Sequence, residues 1–257
     1  MSKLSLQDKF IDISDYGRPF ATRLAALLKH TSATPVHITL VFGVCGLIAV
    51  YAILIEFFVT AAIFLILKSI IDAADGELAR VKKSPSYTGR YLDSIFDFIL
   101  NFLVITAIWI VTEHAFTTAF LAFFCLQLQG TLYNYYYVIQ RHQTSNGDTT
   151  SKIFETEVPT AYPGENQKTV ALLFRIYSLF YSLFDRLIYR IEPHAPQSDP
   201  FPKWFMTLLS IYGLGFQLLI ISVMLAFGLI NWIIPLLIVY TIFIFLFIAI
   251  RKSILSR

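Results

Sequence analysis

The chain has 257 residues, 56% of them hydrophobic and 14% charged, with a mean hydropathy of +0.66 and a formal net charge of +3. A soluble domain of this length would be far less apolar, so the composition excludes one and makes the bilayer the solvent of the fold.

In chain order, Met1-Ser2-Lys3-Leu4-Ser5 lacks the basic, apolar and small-residue sequence of a cleavable signal, and the N-terminus is expected to be retained. Residues 1–37 read as an N-terminal interfacial segment. Within it, Phe20, Leu24, Leu27 and Leu28 fall on one helical face with Arg23 and Lys29 off it, the pattern of an amphipathic helix lying in the membrane interface. A spanning helix needs about 20 apolar residues. Six stretches qualify: Ile38 to Ile55, Phe57 to Leu78, Tyr91 to Val111, Phe116 to Ile139, Phe205 to Ile230 and Trp232 to Ile250.

Between spans four and five, residues 140–203 form a long segment, polar to Gln167 and then apolar and aromatic up to Ile191. The charges in that second part, Arg175, Asp185, Arg186 and Arg190 among them, argue for a surface-lying helix over a seventh span. Tyr133, Tyr135, Tyr136 and Tyr137 fit an interfacial aromatic belt, and Gly213 and Gly215 close helix contact. Cys45 and Cys125 lie inside predicted spans, as small apolar thiols.

Basic residues sort the loops. Lys and Arg gather before span one, between spans two and three, between spans four and five, and after span six. The connections around Glu56, Glu113 and Asn231 carry none. By the positive-inside rule both termini are cytoplasmic. The fold class is therefore all-α: a polytopic membrane protein of six transmembrane helices with an N-terminal interfacial helix, forming one domain over residues 1–257.

One stretch breaks the apolar pattern. It reads Asp72-Ala73-Ala74-Asp75-Gly76-Glu77-Leu78-Ala79-Arg80, then eight residues, then Gly89-Arg90-Tyr91-Leu92-Asp93-Ser94-Ile95-Phe96-Asp97. Asp72 and Asp75 share a face at the end of span two, Asp93 and Asp97 a face at the start of span three. A short connection predicts that the two helices are antiparallel neighbours. Each intramembrane Asp costs about 2.5 to 3.5 kcal/mol on the lenient insertion scale, so four converging carboxylates require compensation. Bound cations provide it. Carboxylates alone suit hard ions such as Mg²⁺ or Mn²⁺, and four are enough for two ions about 3.5 to 4 Å apart, the spacing used for in-line displacement at phosphorus. Gly76 and Gly89 leave room for ligand beside the acids, and Arg80 is placed to pair with a phosphate oxygen.

At these residues the chain resembles the CDP-alcohol phosphotransferase (CDP-alcohol phosphatidyltransferase) family, whose signature is D-x-x-D-G-x-x-A-R, eight residues, G-x-x-x-D-x-x-x-D. Asp72, Asp75, Gly76, Ala79, Arg80, Gly89, Asp93 and Asp97 match every fixed position. The resemblance implies transfer of a phosphoalcohol group, most often phosphatidyl from CDP-diacylglycerol, to an alcohol acceptor with release of CMP, in phospholipid biosynthesis. It further implies two Mg²⁺ or Mn²⁺ ions on Asp72, Asp75, Asp93 and Asp97, nucleotide and diphosphate around Gly76, Ala79, Arg80 and Gly89, and Asp97 as the base. A homodimer among membrane lipids, no nucleic-acid partner, and residence in the cell inner (plasma) membrane with a cytoplasmic active site complete what it implies.

One position departs. Many members carry Pro-Asn followed by Thr at the start of span one, whereas this chain reads Thr34-Pro35-Val36-His37-Ile38-Thr39, leaving that polar contact absent or supplied by a group such as His37. Two matters stay open on sequence: the acceptor, for which Lys82, Lys83, Arg90, Arg141 and His142 are available basic groups, and the rival reading of an intramembrane divalent-cation transporter or channel using the aspartates as its ion site.

Overall fold

The computed structural model describes residues 8–144, 152 and 155–254. Lys3 and Arg257 of the charge pattern, the first residues of the interfacial segment and part of the 140–203 segment lie outside them. The described residues are helical with no strand: α1 (Arg18–Leu28), α2 (Pro35–Leu54), α3 (Phe58–Val81), α4 (Tyr87–Ile110), α5 (Phe116–Thr144), α6 (Gln167–Ile191), α7 (Lys203–Leu209), α8 (Leu214–Ala226), α9 (Ile230–Tyr240) and α10 (Phe243–Ile254).

Among the described residues four helical stretches are long and apolar enough to cross a membrane: α2, α4, α5 and Ile230–Ser253, which joins α9 to α10. A fifth arises if α7 and α8, bent by 49°, are taken as one span. Helix α3 has the length, 24 residues, but Lys68, Asp72, Asp75, Glu77 and Arg80 dilute its apolar character. The helix expected to lie in the interface exists as α1, with Ala21 and Ala25 fully buried and Phe20 and Leu27 exposed.

Local chemistry explains the helix starts that matter here. Helix α2 begins with Pro35 at its first position, and the Thr34 side chain accepts a hydrogen bond from His37 N–H while His37 Nδ1 accepts from Thr34 N–H. His37 thus supplies the reciprocal half of a capping box. Ser86 caps α4 through Gly89 N–H.

Helix α2 packs along both α3 and α4. Gly43 and Gly46 let α4 in: a Cβ at Gly46 would stand 2.6 Å from Leu100, and one at Gly43 2.8 Å from the Phe96 ring. The expectation that α3 and α4 are direct neighbours is corrected in one respect, since their backbones are not closely packed against one another. Asp72 and Asp75 of α3 meet Asp93 of α4 across the space between them. Helix α8 packs on α3, and α6 on α4 and α5. A core of Ile53, Leu65, Ile108, Leu126, Ile221 and Ile233 seals the half of the bundle away from the acids.

The tyrosines of α5 face inward and do not form a lipid-facing belt. Tyr133 donates to Asp12 at 2.5 Å, while Tyr135 and Tyr136, both buried, donate to the backbone and carboxylate of buried Glu192 at 2.8 Å. Glu192 also takes the Arg251 Nε–H at 2.5 Å, which ties the end of α6 to α10.

The bend between α7 and α8 holds the N-terminal segment. Ile13 N–H donates to Ser210 Oγ at 2.9 Å, and Ser14 lies against Gly213 and Gly215. These glycines make room for a main chain, where helix-to-helix contact was expected. A Cβ at Gly215 would stand 2.0 Å from the Ser14 carbonyl oxygen, which cannot rotate away. Gly215→Ala should destabilise the protein by about 1 to 3 kcal/mol through overpacking. Thermal unfolding in detergent tests this, and an unchanged Tm would mean that Ser14 does not dock there.

Candidate active site

Helix α3 delivers Asp72 and Asp75 to one end of the bundle, and α4 delivers Asp93 and Asp97 from across the gap. Asp72, Asp75 and Asp93 each present one carboxylate oxygen, all within 4.8 Å of one another. Asp75 is buried and accepts from Thr39 Oγ at 2.8 Å; Thr39 in turn is anchored to Pro35 O at 3.1 Å. The Oδ1 atom of Asp93 is buried and accepts no hydrogen bond among the described residues. An unsatisfied carboxylate oxygen beside two further carboxylates fits a hard divalent cation.

Asp97 is turned elsewhere. One helical turn past Asp93, it accepts a hydrogen bond from Lys68 Nζ, and Lys68 also donates to Asp72 at 3.2 Å. Neither this lysine nor Thr39 had been assigned a part from sequence.

Above the acids opens a cavity of about 720 Å³, lined by the signature residues Asp72, Asp75, Gly76, Ala79, Arg80, Gly89 and Asp93. Arg80 folds back over Gly76, where a Cβ would meet its guanidinium at 3.4 Å. Glu77 fixes that posture: it pairs with Arg80 at 2.8 Å and with Arg18 of α1. Arg80 Nε and Arg141 Nε are both buried without a hydrogen-bond partner among the described residues. Two guanidiniums so placed on one cavity suit an anionic ligand. Of the other basic candidates, Arg90 pairs with Glu155 and lies 4.9 Å from the Tyr91 ring centroid, and Lys82 donates to Thr31 O and Ala33 O, a structural tie. His37 is committed to its helix cap, and Val36 fills space 4.0 Å from where a Cβ on Gly89 would be.

The segment before α6 is tied to α4 beside the cavity residues Ser86 and Gly89. Glu165 accepts from Ser86 Oγ at 2.8 Å and from Thr88 N–H at 2.7 Å, placing a carboxylate on the N-terminus of α4. Burial raises its pKa, yet the hydrogen bonds from Thr88, Ser86 and Tyr162 outweigh that and hold it below the ordinary glutamate value. Glu165 and Glu155, which hold the cavity residues Ser86 and Arg90 from behind, could not be found from sequence, since nothing in their local sequence sets them apart.

Removing the support of Asp75 gives a direct test of the acidic triad. Thr39→Val keeps the shape and deletes the hydroxyl, so affinity for Mn²⁺ should fall about ten- to a hundredfold, the usual effect of losing a hydrogen bond to a metal-ligating carboxylate. Calorimetric titration of the purified protein measures it, and unchanged affinity would remove Thr39 from the support of the site.

A protein-family model described as CDP-alcohol phosphatidyltransferase matches residues 32–214. The match runs from just before α2 to the first residue of α8 and so contains every signature residue. Among curated proteins no match is found.

Proposed function

The chain belongs to the CDP-alcohol phosphatidyltransferase family, and from that premise we propose that it transfers a phosphatidyl group from CDP-diacylglycerol, or a related CDP-linked lipid, to an alcohol with release of CMP. The observation that carries this reading is the convergence of Asp72, Asp75 and Asp93 beneath a cavity that also presents Arg80 and Arg141. Metal-binding carboxylates and free guanidinium edges on one cavity are what a diphosphate requires.

In this reading Asp72, Asp75 and Asp93 hold Mg²⁺ or Mn²⁺, which when bound would neutralise the diphosphate oxygens. Four carboxylates carry charge for two cations, and Asp97 belongs to the second. Gly76, Ala79 and Gly89 let the nucleotide approach the backbone, and Arg80, braced by Glu77, contacts the diphosphate. The acceptor hydroxyl oxygen bonds to the phosphorus that bears the lipid, the bond from that phosphorus to the CMP oxygen breaks, and the hydroxyl proton passes to Asp97. Phosphoryl transfer of this kind depends mainly on positioning and charge neutralisation.

Helix α3 is the sixth span in this proposal, with Asp72, Asp75 and Arg80 on the cavity and its length equal to that of α4. The site and both termini then lie on the cytoplasmic side, as the basic residues imply, with α1 in the interface and all of 1–257 one domain. Homodimeric assembly rests on the family resemblance alone. The rival ion-pathway reading calls for further uncompensated acids along the bundle. Among the described residues the other buried acids, Glu77 and Glu192, are each paired with arginine.

Asp97→Asn keeps an oxygen for Lys68 to bond and removes the base. Turnover should fall by at least about a hundredfold while the protein still folds and inserts. Incubating purified protein with CDP-diacylglycerol, Mn²⁺ and a panel of alcohols, with CMP and the product lipid identified by mass, gives the measurement and names the acceptor. CMP release at a near-normal rate by the variant would remove Asp97 from the mechanism.

A further inference from the structure

Lys68 is the one residue of the acidic site that the metal-dependent reading does not use. It is 1% exposed, deep in α3, with its Nζ 4.8 Å from the Phe42 ring centroid. Lysines near helix ends ordinarily extend along the helix to bring their ammonium to water. Lys68 instead turns inward and donates to Asp72 at 3.2 Å and to Asp97 on the facing helix.

The four aspartates therefore divide into two sets that share Asp72. One oxygen each from Asp72, Asp75 and Asp93 forms the first set, and Asp93 keeps an oxygen, Oδ1, that is buried without a hydrogen-bond partner among the described residues. The second set is Asp72 with Asp97, and it is already bridged by an ammonium. A further divalent ion on Asp97 would have to share that carboxylate with a fixed positive charge of the chain, and like charges so close repel strongly.

We propose that the Lys68 ammonium is the second cation of this site, so that each chain binds one divalent ion, at Asp72, Asp75 and Asp93, and Asp97 is held toward the acceptor by Lys68 instead of by a metal. The inference rests on the metal-dependent transfer reading and alters only the number of ions. Lys68 is on this account a positioning residue. Asp97, freed from metal ligation, keeps its remaining lone pairs for the acceptor hydroxyl.

Counting bound metal tests it without reference to turnover. The full-length protein in lipid nanodiscs is equilibrated with saturating Mn²⁺, separated from free ion, and examined by elemental analysis and electron paramagnetic resonance. Wild type should hold one tightly bound Mn²⁺ per chain with the spectrum of an isolated ion. Lys68→Met should hold two with a spin-coupled spectrum, and Lys68→Arg one. Two coupled ions in the wild type, or a single ion in a folded Lys68→Met, would overturn the proposal. Should Lys68→Met fail to insert, the wild-type count and spectrum decide alone. Two ions with CMP release intact would sink only the role of Lys68, whereas no bound Mn²⁺ and no attack on the CDP-linked donor would sink the transfer reading with it.

Discussion

Acidic groups of like charge, brought from two helices into the end of an apolar bundle, are the constraint around which this molecule is arranged. Left alone, Asp72, Asp75, Asp93 and Asp97 would repel one another and would each lose hydration. Three kinds of compensation meet them. Thr39 hydrogen-bonds Asp75, Lys68 bridges Asp72 and Asp97, and the remaining carboxylate oxygens gather where a divalent cation can reach them. The separation of α3 from α4 follows from the same need, because a tight helix pair would leave no room for a ligand between the acids. Helix α2, with glycine at its contacts to Phe96 and Leu100, holds the spacing instead.

Charge compensation continues outward from the acids. Glu77 sits between Arg18 and Arg80, and Glu155 beside Arg90, so the guanidiniums facing the cavity are held by carboxylates behind them. A side chain restrained in this way loses little freedom on meeting an anion, and the interaction is correspondingly more favourable. Arg141 has no such carboxylate partner in the described structure; it lies 6.0 Å from the Tyr137 ring centroid. It is the cavity cation with the most to gain from a ligand.

Much of this was legible in the sequence, for identifiable reasons. Fixed spacing of acids on a helix dictates a shared face, so the pairs Asp72/Asp75 and Asp93/Asp97 could be placed before any coordinates. Hydropathy marked α2, α4, α5 and the α9–α10 pair, whose apolar runs are long and nearly free of charge. What escaped were partners set by tertiary packing. Lys68 could not be joined to Asp97 from sequence, because the two lie 29 residues apart on different helices. Glu165 is 79 residues from Ser86, and Tyr136 is 56 from Glu192. The tyrosines show the same limit. An aromatic cluster at a span's end has the composition of a lipid-facing belt whichever way it turns, and only the acceptors, half-buried Asp12 and buried Glu192, distinguish the two.

The departure at Val36 also acquires a physical reading. An Asn at that position would place an amide near the start of α4, close to Gly89; the valine methyl occupies that space instead. The polar duties at this end of α2 are met by Thr34 and His37 in the cap and by Thr39 on Asp75. Walls contributed by Ser14, Arg18 and the segment preceding α6 complete the cavity, and these lie outside the apolar runs that define the bundle. The acids thus belong to the rigid helices, while part of the cavity wall, Ser14 and Lys152 included, belongs to connecting segments. Such an arrangement lets the wall of the cavity change without disturbing the charge balance among the acids.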